Sequence, residues 1–278
     1  MDREPGHTWE SRWTHRGRPV RVAVTDRHVL PAARRELTLL LAGLRRGDAT
    51  LARALRAAGR PVPVGPLLRD LVGVALGAAE ASDGAVDPTV EAARLRRRRT
   101  PGLLPVCGGA AAGPVPVANW RAVTLAGDLL ALPPTLPLGL AATATAQLAR
   151  RCAQRISART GVGVLVGVGN RVAVAGPAPP GGWPVAAGDR VVALTAGGLA
   201  TADVRVDGGV LDPRTGAPPV SPWASVTVVA PDAVRAAVLA VGALAHGPHG
   251  PDWLAARIGD GVAYPTPGCA VAAAPAER

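Results

Sequence analysis

Stretches of strand period and helix period follow one another in this chain without a regular β-α-β rhythm, and that order restricts the fold most. Val20, Val22 and Val24 alternate with Arg21 and Thr25, predicting a strand with one wet face. Pro31 to Arg46 carries Leu37, Leu40, Leu41 and Leu44 at helical spacing, and a second short helix is expected to end at Gly59-Arg60-Pro61. Val62 to Val64 reads as extended, Pro66 to Ala81 as a helix, and Glu91 to Gly113 as a long loop. Trp120 to Leu132 predicts two strands about Ala126-Gly127-Asp128. A helix is expected over Thr143 to Thr160, then a hairpin about Gly169-Asn170. Strands follow at Arg190 to Leu194, Leu199 to Val206 and Ser225 to Ala230, and Asp232 is placed to cap a helix running to Leu244. The class this implies is α+β, with mixed sheets and packed helices. Residues 1–18 read as an irregular lead-in and 19–278 as one domain.

Charge raises nucleic acid as a partner and then argues against it. The net charge is +11, and all 31 basic residues are arginine. Abundant Arg, Ala, Gly, Val and Pro mark a GC-rich coding bias, so part of that arginine is compositional. Arg96-Arg97-Arg98-Arg99 is the densest cluster, but with one tyrosine and no phenylalanine the chain lacks the stacking platforms of single-strand binders. That run is expected to be a solvated basic surface, with no nucleic-acid partner. Cys107, Cys152 and Cys269 are odd in number and form no C-x-x-C pair, so neither a disulfide framework nor a zinc site is expected. The first residues carry Asp2, Arg3 and Glu4 rather than an apolar run, and no window is apolar enough to span a membrane. A cytoplasmic protein with no membrane partner is expected.

Two familiar patterns fail on context. Gly161 to Gly167 (GVGVLVG) follows a helix instead of preceding one, so it lacks the helix N-terminus a dinucleotide fingerprint needs. His246 and His249 have H-x-x-H spacing, but Gly247 and Pro248 break the helix that would align them.

Three segments carry a specific resemblance: Ser82-Asp83-Gly84-Ala85-Val86-Asp87-Pro88-Thr89-Val90, Val210-Leu211-Asp212-Pro213-Arg214-Thr215-Gly216, and Ser225 to Pro231. Taken alone, aspartate-proline is turn chemistry, proline fixing φ after a side chain that bonds local amides. Together and in this order the segments resemble the ApbE family, FAD:protein FMN transferases. The resemblance implies Mg²⁺-assisted cleavage of FAD and attachment of FMN to a Ser or Thr of a target protein. It also implies that Ala85, Val86, Asp87, Thr143, Leu211 and Asp212 line the flavin-nucleotide site.

Departures fall where that chemistry sits. The family's L-D-L-G-G-x-A-K-G segment is matched by Leu136 to Ala144, with Pro137 for the aspartate and Thr143 for the lysine. The metal-binding aspartate and the threonine of the A-D-A-x-x-T helix are matched by Ala237 and Val241. Arg171 stands where an aspartate closes the asparagine-glycine turn, Gly208 or Gly209 replaces a histidine, and Gly43 to Thr50 lacks the usual serines. Mg²⁺ requires oxygen ligands that alanine and valine side chains do not have. The resemblance with these losses predicts a transferase by descent with impaired catalysis and no assignable catalytic residue or metal ligand. The alternative is a non-catalytic flavin-binding or protein-interaction pseudoenzyme. Were activity kept, Asp203 or Asp207 would have to serve as ligands.

Overall fold

The computed structural model describes residues 7–99, 118–204 and 209–268. Its centre is an antiparallel sheet built on period-two alternation. Strands β1 (Trp9–His15), β2 (Arg18–Val24), β6 (Val164–Val168), β7 (Arg171–Ala175), β10 (Gly198–Asp203), β11 (Trp223–Ala230) and β12 (Val262–Pro267) lie side by side in that order. Strands β3 (Val62–Pro63), β5 (Leu129–Ala131) and β4 (Thr124–Ala126) form a small second sheet, while β8 (Trp183–Ala187) and β9 (Arg190–Leu194) form a hairpin.

Alternation sends each strand's side chains into two different cores. Val20, Val22, Val24, Val164, Val166 and Ala200 face a helical layer, and Ala23, Leu165 and Leu199 face the β8–β9 hairpin with Trp183 and Leu194. The wet face expected of β2 is therefore covered in part: Ala23 is buried, and Arg21 bonds Glu10 and the Pro184 carbonyl. Burying both faces explains why β6, buried at every position, reads as a continuous Gly/Val run.

The helical layer contains α1 (Leu30–Arg56), α2 (Pro66–Ala81), α4 (Ala144–Thr160) and α5 (Ala233–Ala245), with α3 (Glu91–Arg99) and α6 (Gly250–Ala255) beside it. The four arginines of α4, a basic face in the sequence, are each paired with an acid of another segment. Arg150 meets Asp232, Arg151 meets Asp70, and Arg155 and Arg159 meet Glu36. The face is a set of ion pairs tying helices together. Asp232 also accepts from the Val234 and Arg235 amides, capping α5.

Several expectations are corrected. Residues 9–15, assigned to an irregular lead-in, form β1 and pair along their whole length with β2. The two helices expected before Pro61 are one, α1. Residues 91–99, expected to open a loop, are α3, so the arginine run begins on a helix. Cys152 is buried, and desolvation pushes its thiol up to about 12. Cys107 and Cys269 lie outside the described residues. Among the described residues no helix is long and apolar enough to cross a membrane.

Candidate functional site

The turn at Ser82 to Thr89 is shaped by its own side chains. Ser82 is buried at the end of α2; its hydroxyl donates to the Ala78 carbonyl at 2.7 Å and accepts from the Val86 amide at 3.0 Å. Asp83 and Gly84 then take left-handed backbone (φ +52° and +84°), which turns the chain back toward the helical layer. Asp87 follows, 6% exposed, and both oxygens of its carboxylate accept hydrogen bonds. Oδ1 accepts from the amide and hydroxyl of Thr89, both at 2.7 Å, and Oδ2 from the Trp120 amide at 3.1 Å. Thr89 in turn accepts from the Asn119 amide at 2.7 Å. One carboxylate thus starts the 3₁₀ turn that leads into α3 and fixes the distant segment carrying Trp120.

The second turn is also locked. Asp212 accepts from the Arg214 amide at 2.9 Å and grips its guanidinium bidentately, at 3.0 and 2.9 Å. This hydrogen-bonded pairing raises the Arg214 pKa further. The Asp212 carbonyl accepts from Gly216 at 2.8 Å, closing the turn.

Around these turns lie three adjoining cavities. The central one is walled by Ala85, Val86 and Asp87, by Arg18, Arg94 and Arg171, and by Ala142, Asp203, Leu211 and Val241. An outer one, toward Trp120, Arg121, Asp212, Arg214 and His246, shares Ala85, Asp87 and Pro213 with it. A third, along α1 at Leu41, Leu44 and Leu51 and against Leu138 and Leu140, shares Arg18, Arg94 and Ala141 with the central one. Through these shared residues the three adjoin as a trough with Trp120 at one end, Leu41, Leu44 and Leu51 at the other, and arginines along its whole length.

The structure distributes the sequence-named residues across this trough. Ala85, Val86, Asp87 and Leu211 line the central cavity, while Asp212 lies in the outer one. Thr143 lines none of the three: it is buried just before α4 with its hydroxyl unpartnered. Arg18, Arg94, Trp120 and His246 were not recognised from sequence. The sequence signal for Arg94 was its place seven residues after Asp87, inside a segment read as loop. Arg94 is held by Glu91 at 3.3 Å and donates to the Gly209 carbonyl at 2.9 Å. Arg171 is 6% exposed, and its guanidinium donates to the Thr201 carbonyl on the neighbouring strand β10. Gly139 lets the Leu136–Ala144 segment lie against α3, because a Cβ there would sit 2.4 Å from a Glu91 carboxylate oxygen.

The residues present do not fit a magnesium ion. Ala237, at the expected aspartate, is fully buried, and Val241 faces the central cavity with a hydrocarbon side chain. Both Asp87 oxygens already accept hydrogen bonds. Among the described residues no group of three His, Cys, Asp or Glu side chains is placed to hold a metal. Asp207 lies outside them.

Comparison with known proteins agrees with this architecture. Residues 17–264 match the family model described as the ApbE family. No curated protein sequence matches the chain. The fold is shared with the flavinyl transferase ApbE of Pseudomonas stutzeri in its apo form, at 23% identity over 96% of this chain and 97% of that one, TM-score 0.76. It is shared too with the ApbE protein of Thermotoga maritima, at 22% identity over 89% of each chain, TM-score 0.69. The flavin transferase ApbE of Vibrio cholerae is similar at 21% identity, over 94% of this chain and 98% of that one, TM-score 0.70. With nine-tenths of its length under the family model, this chain belongs to the ApbE family.

Proposed function

We propose that this protein binds FAD in the trough and descends from FAD:protein FMN transferases, with Mg²⁺-dependent transfer impaired. The observation that carries the reading is the trough itself. A dinucleotide is two flat, largely apolar ring systems joined by a doubly charged pyrophosphate, and here tryptophan and leucine ends flank a middle walled by Arg18, Arg94 and Arg171.

In the reaction the family implies, a Ser or Thr oxygen of the target forms a bond to the FMN phosphorus. The phosphorus–oxygen bond to AMP breaks, AMP departs, and the hydroxyl proton goes to a base. Metal stabilisation of the charge in such transfers is worth several kcal/mol. A loss of about 4 kcal/mol slows a reaction roughly a thousandfold. Buried Ala237 and apolar Val241 provide no ligand to restore it.

The test is to purify the protein, read its flavin absorbance after FAD is added and excess removed, and then follow AMP release with Mg²⁺ and an acceptor protein. Retained flavin with AMP release roughly a thousandfold below an active family member is expected. A rate matching that of an active member would overturn the impairment. Failure to retain any flavin would leave the scaffold as an interaction protein.

A further inference from the structure

The central cavity is lined by three arginines, Arg18, Arg94 and Arg171, and by two acids, Asp87 and Asp203. One of them, Arg171, replaces an acidic residue of the family pattern, so the substitution does more than delete a ligand: it reverses the charge at that point. A base in place of an acid at that point favours a bare phosphate over a cation-bridged one.

Geometry agrees with the charge. Arg94 and Arg171 are braced by backbone carbonyls at Gly209 and Thr201, so their guanidinium planes are ordered before any ligand arrives. Glu91 fixes Arg94 from the α3 side. Arg18, at the start of β2, closes the wall between the central and α1-side cavities, and Arg94 stands in that same wall. Guanidinium is the side chain whose fork matches two phosphate oxygens at once. Against these three cations stand Asp203, Glu91 paired with Arg94 from the adjoining cavity, and Asp87, whose oxygens accept from amides and a hydroxyl.

We propose that Arg18, Arg94 and Arg171 hold the pyrophosphate of a dinucleotide directly, so that binding requires no divalent cation. The assignment rests on the dinucleotide reading above. Arginines differ from a metal in one functional respect: they neutralise a pyrophosphate without drawing an acceptor hydroxyl into a shared coordination sphere. The site is therefore suited to retaining FAD more than to cleaving it.

Calorimetric titration with FAD, ADP and riboflavin, each in EDTA and in excess Mg²⁺, tests the assignment. FAD and ADP are expected to bind in EDTA, with Mg²⁺ changing either affinity less than about twofold. Arg94→Ala and Arg18→Ala are each expected to weaken FAD and ADP about tenfold or more, the loss of a charged hydrogen bond to phosphate, and to leave riboflavin unchanged. Arg94→Lys should recover part of that loss. Because the EDTA comparison uses the unaltered protein, it stands even if a variant fails to fold. FAD binding that appears only with Mg²⁺, or wild-type affinity in both alanine variants, overturns the arginine assignment while sparing the dinucleotide reading. Binding of none of the three ligands overturns both.

Discussion

The imidazole of His246 lies stacked on the indole of Trp253, ring centroids 4.9 Å apart and planes 25° from parallel. Trp253 is itself seated on Gly242, where any Cβ would fall 2.5 Å from the indole, and it carries Arg257 4.9 Å from its ring centroid. The C-terminal end of α5 is thus closed by an aromatic pair whose other side faces the outer cavity.

That pair makes stability depend on pH. Burial first, then Arg214 and Arg257, lower the His246 pKa, with Asp212 and Asp83 acting in the opposite sense. The folded protein therefore prefers neutral imidazole, and protonation favours unfolding. The contribution is complete above the ordinary histidine value of 6.5 and is lost as pH falls below it through the lower, folded value. Heat-unfolding midpoints at neutral and at mildly acidic pH should differ less for His246→Phe, which keeps the stack and cannot titrate, than for the unaltered protein. Equal differences would remove His246 as the source.

Asp87 is expected to matter for folding before it matters for binding. Replacing it with alanine leaves two amides and a hydroxyl without their acceptor in a buried turn. A loss of about 3 kcal/mol is expected, read from urea unfolding, since each buried orphan costs about 1–3 kcal/mol. Asp87→Asn should be milder, because its carbonyl oxygen still accepts from Thr89 while its amide nitrogen opposes the Trp120 N–H.

Asp232 joins two tasks, capping α5 and receiving Arg150 from α4 at 2.5 Å. Asp232→Ala is expected to cost about 1–2 kcal/mol, mostly for the cap. Asp232→Asn should retain most of that, because a part-exposed ion pair is worth less than about 1 kcal/mol. Equal losses from both variants in thermal unfolding would assign the effect to the pair instead.

Cys152 is expected to resist alkylation in the native protein. Its thiol is held far above the usual thiol range by burial, with Glu36 adding to the effect. Thiolate is the reactive form. Peptide mapping after iodoacetamide treatment should find the Cys152 peptide unmodified until denaturant is added; rapid native labelling would contradict the burial described here.

Most of the elements could be read from sequence because their periods are local, and the misreadings have local causes too. The first helix was expected to end at Arg46, just before Gly47, and it continues through both Gly43 and Gly47. In the fold they let α2 approach α1: a Cβ on Gly43 would sit 2.5 Å from a Leu67 methyl, and one on Gly47 3.2 Å from Leu68. Five arginines hid α3, which follows the 3₁₀ turn capped by Asp87 and whose first turn holds the Glu91–Arg94 pair, neither visible as apolar period. Strand β1 alternates Trp9, Ser11 and Trp13 against charged residues, a usable signal that the surrounding polarity masked. Of the site, the two aspartate turns were legible because each is a contiguous motif. The arginine-lined middle was not, because Arg18, Arg94 and Arg171 come from β2, α3 and β7, far apart in the chain.

The seven-stranded sheet ends at β12, where Pro265 and Pro267 stand two residues apart. Residues so spaced point their main-chain nitrogens to the same side, and proline is tolerated in a strand when that side faces away from its partner. The outer rim of β12 therefore presents no donor at alternate positions. A strand from a neighbouring molecule would find no amide donor at Pro265 or Pro267, so two of the main-chain bonds that edge-to-edge pairing draws on are missing along this flank.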